Sequence, residues 1–122
     1  MKKIAVVTAT RAEYGILRPL IFKLKEEEAF ELQLLVTGMH LDEKYGTTRN
    51  EIVKDNVPIF KSIPILESGN SEYDISLTMA NAIKGFAEYF RGEKPELLIV
   101  LGDRTEILGI CAAAMNAKIP IA

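Results

Sequence analysis

The run Leu97-Leu98-Ile99-Val100-Leu101 is unbroken by any polar residue and meets Gly102 head on. Asp103, Arg104, Thr105 and Glu106 follow at once. Five apolar residues without alternation, bounded by Pro95 and Gly102, predict a short strand covered on both faces. The segment from Thr105 to Asn116 is rich in Ala, Leu and Ile and predicts a helix. A carboxylate, a guanidinium, a hydroxyl and a second carboxylate are therefore expected at the carboxyl end of a buried strand. Open α/β sheets bind their ligands at that edge.

The rest of the chain repeats the pattern. Lys3 to Thr8 predicts a first buried strand. Thr8 to Gly15 is a loop and helix start, with Thr10 as cap and Glu13 three residues on completing a capping box. Ile16, Leu17, Leu20, Ile21 and Leu24 form an apolar stripe at helical spacing, with Pro19 expected near the first turn. Phe30 to Thr37 predicts strand two, ending in the polar loop Thr37-Gly38-Met39-His40-Leu41. A helix is expected between Asp42 and Asp55. A third strand within Val57 to Ile65 belongs at an edge, because Pro58 and Pro64 remove ladder donors. A long helix from Asp74 to Phe90 is capped by Ser71 or Asp74 and ended by Gly92 and Pro95. After the fourth helix, Ile119-Pro120-Ile121-Ala122 reads as the start of a fifth strand.

Strands alternating with helices call for a parallel sheet covered on both faces, a Rossmann-like doubly wound α/β fold. With right-handed crossovers, a strand order of 3-2-1-4-5 puts the switch point between strands one and four. The loop after strand one and the turn after strand four then flank one crevice, which Arg11, Arg104, Asp103 and Glu106 are expected to share.

Composition narrows the function. The 122 residues are 48% hydrophobic and 26% charged, as in one globular domain. A net charge of −2 gives no basic footprint for nucleic acid. No stretch approaches the ~18 apolar residues of a membrane span. With one cysteine, Cys111, and one histidine, His40, no intrachain disulfide and no clustered metal site is expected. These features fit a cytoplasmic protein without a metal.

Each polar group also has a plainer reading. Arg11, beside a helix N-terminus, suits a phosphate, but a surface arginine paired with Glu13 accounts for it too. The loop lacks the glycine fingerprint of dinucleotide sites and the lysine of a P-loop. Asp103 reads as a general acid or base, or equally as an ion-pair partner of Arg104 or a helix cap. Glu106 in a first helical turn is favoured by the dipole whatever else it does. A lone histidine is more often packed or solvated than catalytic, although its pKa suits proton transfer. Cys111, beside Ala112 to Ala114, reads as a small core residue.

Thr8-Ala9-Thr10-Arg11-Ala12-Glu13-Tyr14-Gly15, Thr37-Gly38-Met39-His40-Leu41 and Gly102-Asp103-Arg104-Thr105-Glu106 together resemble the N-terminal part of the UDP-N-acetylglucosamine 2-epimerase family. The hydrolysing branch is the closer resemblance; the non-hydrolysing branch typically carries Thr-Arg-Pro-Glu and Gly-Asp-Thr at the first and third loops. The resemblance implies a two-domain fold of the glycosyltransferase-B type, of which residues 1–122 are most of the first Rossmann-like domain, with the C-terminal domain outside this chain. It implies elimination of UDP from UDP-N-acetylglucosamine or a related UDP-sugar, then hydration of the glycal to N-acetylmannosamine. It implies no cofactor, and a homo-oligomeric parent serving sialic-acid-type biosynthesis. Carried over by position, Asp103 and His40 are the catalytic candidates. Arg11 and Arg104 are expected at the nucleotide or diphosphate, with Ala12, Gly102 and Glu106 among the substrate contacts. The piece alone is expected to be inactive. A glycosyltransferase of the same architecture and a non-enzymatic Rossmann-like module are the alternatives.

Overall fold

The computed structural model describes residues 1–42, 48–102 and 104–122. Asp103, and the first half of the helix expected from Asp42, therefore lie outside the described residues. The elements in order are β1 (Lys2–Thr8), α1 (Arg11–Glu26), β2 (Phe30–Thr37), a 3-10 turn (Gly38–Leu41), α2 (Arg49–Lys54), β3 (Ile59–Ile63), α3 (Glu72–Gly92), β4 (Leu97–Ile99) and α4 (Thr105–Asn116).

The sheet is parallel throughout, in the order β3-β2-β1-β4. β1 pairs with β2 from Lys2↔Phe30 to Thr8↔Val36, and with β4 from Ile4↔Leu97 to Val6↔Ile99. The alternation of β1 divides the core. Ile4 and Val6 pack with Tyr14, Leu17, Ile21, Leu24 and Ile52 beneath α1 and α2. Ala5 and Val7 pack with Ala82, Phe86, Phe90, Ile110 and Ala114 beneath α3 and α4. A central strand buried on both faces is near-continuously apolar, as β1 is from Ile4 to Val7.

Four expectations are corrected. The fifth strand is not formed, so the order is 3-2-1-4. Leu98 and Ile121 make one isolated parallel bridge on the outer side of β4, where a fifth strand would lie. Pro120 there has no N–H to give, and Lys118 just before it is left-handed at φ 61°. Pro19 sits in the middle of α1, exposed. The residue four before it, whose carbonyl the ring crowds, is Gly15. The buried stripe of α1 is Tyr14, Leu17, Ile21 and Leu24, while Ile16 and Leu20 face outward. The capping box of α1 is half made, as described below, whereas that of α3 is complete: Ser71 Oγ accepts from Asp74 N–H and the Asp74 carboxylate accepts from Ser71 N–H.

α1 and α2 are tied by a polar cluster. Asp55, just past α2, accepts from Tyr14 Oη at 2.6 Å and from Arg18 Nε and a second guanidinium nitrogen at 2.8 and 3.1 Å. Among the described residues, no helix is long and apolar enough to cross a membrane.

Candidate functional site

β1 and β4 are neighbours, so the loop after β1 and the turn after β4 meet at the carboxyl edge of the sheet. They touch through Glu13 and Gly102. Thr10 Oγ1 accepts from Glu13 N–H at 3.2 Å, the forward half of a capping box. The return half goes astray: Glu13 Oε1 accepts from Ala9 N–H at 3.0 Å, one residue beyond the cap. The other oxygen, Oε2, stands 2.8 Å from where a Cβ on Gly102 would be. Gly102 has φ +106°, a conformation that favours glycine. Glu13 is buried, and burial is the main reason its carboxyl is pushed above the usual range. The nearby Glu106 charge adds to this, while the Ala9 N–H and the Arg104 guanidinium oppose it.

Arg104 is the N-cap residue of α4, and its side chain makes no cap bond. Its Nε donates to Glu106 Oε1 at 2.6 Å. Glu106 is 2% exposed. Arg104, Thr105 and Glu106 form one wall of a cavity of about 360 Å³. The loop from Leu66 to Asn70, Ile75 and Thr78 of α3, and Asp42 line the rest of it. That loop is held from α3. Thr78 Oγ1 accepts from Glu67 N–H at 3.1 Å. Asn81 Nδ2 donates to Ile65 O and Glu67 Oε1 at 3.0 and 2.9 Å.

His40 sits deeper, 3% exposed. Its Nε2 is 2.9 Å from Thr8 Oγ1 and its Nδ1 is 3.0 Å from Thr48 Oγ1. The Thr8 hydroxyl also reaches Thr10 O at 3.4 Å, so it accepts from Nε2–H, and the Thr48 hydroxyl donates to Nδ1. Burial lowers the histidine's pKa and keeps the ring neutral. The backbone N–H of His40 donates to Ala9 O at 3.3 Å. Gly38, at φ +61°, allows the close approach: a Cβ there would lie 3.2 Å from the Cβ and the carbonyl oxygen of Ala9.

The site expectations divide accordingly. Gly102, Arg104 and Glu106 come together at the switch point. Ala12 and Arg11 are exposed at the start of α1. Arg11 pairs with Glu51 of α2 at 2.9 Å, not with Glu13. Among the described residues it does not line the 360 Å³ cavity, and neither does His40. Of the residues expected to share one crevice, Arg104 and Glu106 pair beside Glu13, and Arg11 pairs with Glu51 of α2. Asp103 lies outside the described residues. Sequence reasoning missed the Leu66–Asn70 wall. Thr78 and Asn81, polar residues three apart within the inward-facing run of α3, were the available signal. Among the described residues, no group of His, Cys, Asp and Glu side chains is arranged to hold a metal ion. Cys111 is half-buried, and burial raises its thiol pKa.

A doubly wound parallel α/β unit with a polar cavity beside the turn after β4 opens at the edge where such sheets bind ligands. The sequence model of the family described as UDP-N-acetylglucosamine 2-epimerase matches residues 22–122, and the chain belongs to that family. It is 38% identical over 121 residues to a UDP-N,N'-diacetylbacillosamine 2-epimerase (hydrolyzing) of Legionella pneumophila, covering 99% of this chain and 32% of that protein. It is 40% identical over 121 residues to the polysialic acid biosynthesis protein P7 of Escherichia coli, covering 99% and 31%. The crystal structure of the UDP-GlcNAc 2-epimerase from Neisseria meningitidis bound to UDP-GlcNAc superposes with a TM-score of 0.81 at 21% identity, covering 100% of this chain and 31% of that one. The chain spans about a third of the length of these relatives.

Proposed function

We propose that residues 1–122 form most of the N-terminal, sugar-side domain of a hydrolysing UDP-sugar 2-epimerase, whose second domain lies outside this chain. The observation that carries the reading is the polar cavity between the start of α4 and the loop after β3, in a chain 38% identical to a hydrolysing relative. The reaction removes the proton from C2 of the sugar as the C1–O bond breaks. UDP leaves with that bonding pair, and water adds across the resulting glycal to give the 2-epimeric free sugar.

The needs of that reaction map onto the edge of the sheet. Charge develops on the departing diphosphate, and Arg104 and Arg11 at two helix N-termini are the cations to meet it. Asp103 is the acid–base group at the sugar. The cavity wall carries Glu67, Glu106 and Asp42 against Arg104. That balance suits a neutral, hydrogen-bonding acetamido sugar better than a second anion. His40, expected at the reacting centre, is assigned a supporting role: between two threonine hydroxyls it holds the loop after β2 against the loop after β1. The 122-residue chain by itself is inactive in this reading, because the reaction needs the second domain to grip UDP.

The test is to incubate the full-length protein separately with UDP-N-acetylglucosamine and UDP-N,N'-diacetylbacillosamine and follow products by NMR. Free UDP and a 2-epimeric reducing sugar are expected from one of them. A UDP-linked epimer accumulating as stable product overturns the hydrolysing assignment. UDP release that requires an added acceptor identifies a glycosyltransferase instead.

A further inference from the structure

A carboxylate at the third position of a helix, after a threonine cap, ordinarily returns to the cap's own N–H. Glu13 does not. It reaches past Thr10 to Ala9 N–H, and Ala9 O in turn accepts from His40 N–H. Residue Ala9 is thereby held through both its N–H and its carbonyl, by a side chain of α1 and by the backbone of the loop after β2. The second carboxylate oxygen occupies the space that a side chain at position 102 would need. One buried side chain therefore touches both the loop that carries Arg11 and the turn that carries Arg104.

We propose that Glu13 is a positioning residue that fastens the loop after β1 to the turn after β4, so that Arg104 is presented to the ligand at a set height relative to the start of α1. The proposal rests on the functional reading above only for the identity of the ligand. The groups facing Glu13 are Ala9 and Thr10 of its own loop and Gly102, Arg104 and Glu106 of the turn and α4. Glu106 pairs with Arg104 at 2.6 Å, and the Glu13 charge attracts the same guanidinium. Glu13 is 7% exposed, and its effect on a ligand runs through these neighbours. The contact to Ala9 needs an acceptor oxygen rather than a charge, and glutamine supplies one at the same reach.

The experiment compares Glu13→Ala and Glu13→Gln in the full-length protein by UDP titration calorimetry and steady-state kinetics, and by amide hydrogen exchange. Glu13→Ala is expected to weaken UDP binding and raise KM by about tenfold or more, with kcat changed less, because misplaced binding groups cost one to two decades. Glu13→Gln is expected to restore binding to within about threefold, since it keeps a hydrogen bond whose net worth is ~1 kcal/mol. Exchange at the Ala9 amide is expected to accelerate in Glu13→Ala, with the amides of Val6 and Leu34 in the central strands unchanged. UDP affinity within about twofold of the unsubstituted protein, on the same scale, overturns the proposal, whether or not Ala9 exchange accelerates. Should Glu13→Ala fail to fold, Gly102→Ala attacks the same contact from the other side, and normal UDP affinity in that variant overturns the proposal equally. A failure of the functional reading shows first in the unsubstituted protein as an absence of UDP binding. The fastening is then judged by Ala9 exchange alone, and unaccelerated exchange overturns it.

Discussion

Arg104 Nε lies 2.6 Å from Oε1 of Glu106, whose side chain is 3% exposed while that of Arg104 is 39% exposed. The pair is lopsided: one partner is sealed in the core and the other reaches solvent. Removing the exposed partner leaves a buried carboxylate facing the Glu13 charge, and the penalty for an unpaired buried charge exceeds the worth of the pair itself. Arg104→Ala is therefore expected to lower stability by ~1–3 kcal/mol, the range for an unsatisfied buried group. Adding Glu106→Gln to it should recover part of that loss. Urea denaturation of the two variants checks this; a double variant less stable than Arg104→Ala alone contradicts it.

His40 offers a direct titration, being the chain's one histidine. Burial lowers its pKa below the ordinary 6.5. In the unfolded chain the ring takes its proton at the ordinary value, and in the folded chain only at lower pH. The stability contribution is thus present above pH ~6.5 and lost as pH falls below it toward the folded pKa. The ring signals in NMR are expected to titrate below 6.5. His40→Gln should flatten the fall in Tm between about pH 7 and 5. An imidazole titrating at or above the ordinary value contradicts the buried geometry.

Asp55 behaves in the opposite chemical sense with the same pH sign. The Arg18 guanidinium, then the Tyr14 hydroxyl, hold its carboxyl down to about 2. The stability it contributes is present above the ordinary carboxylate range and lost as pH falls from there through about 2. Asp55→Asn is expected to lower Tm at neutral pH by a few degrees and to flatten the acid limb of the stability profile. Thermal melts at several pH values check both, and an unchanged acid limb would show that the cluster does not couple to folding.

The alternation of elements was legible because buried parallel strands have no solvent face to mark: the cores of β1 and β4 read as continuous apolar runs, and helical spacing filled the gaps. The outward turn of Ile16 and Leu20 was not. The expected stripe shares Leu17, Ile21 and Leu24 with the buried one, whose fourth member is Tyr14, packed with Ile4, Val6 and Ile52. The fifth strand is reduced to the bridge between Leu98 and Ile121, next to Pro120, which has no N–H for a ladder. At the site, Gly102, Arg104 and Glu106 were legible from a polar cluster following an apolar run. Glu13 was legible only as a capping residue. Its second oxygen meets Gly102, 89 positions along the chain, and no local spacing encodes that. The loop from Leu66 to Asn70 carries the same polar residues as a solvated turn, so its role as a cavity wall appears only once Thr78 and Asn81 are seen to hold it.

Asp103 is the residue on which the proposed chemistry depends most, and it tests the site independently of the stability arguments. A general acid or base at the sugar contributes ~10²–10⁴-fold to turnover, because proton transfer is concerted with bond breaking at C1 and C2. Asparagine keeps the size and a hydrogen-bonding oxygen but cannot exchange a proton. Asp103→Asn in the full-length protein is therefore expected to lower kcat within that range. UDP affinity should stay near that of the unsubstituted protein, since Arg104 and Arg11 are the diphosphate ligands in this reading. Single-turnover kinetics together with UDP calorimetry separate the two effects. A kcat reduced by less than about threefold falls short of acid–base catalysis, and a loss of UDP affinity equal to the loss of turnover moves Asp103 from the sugar to the diphosphate.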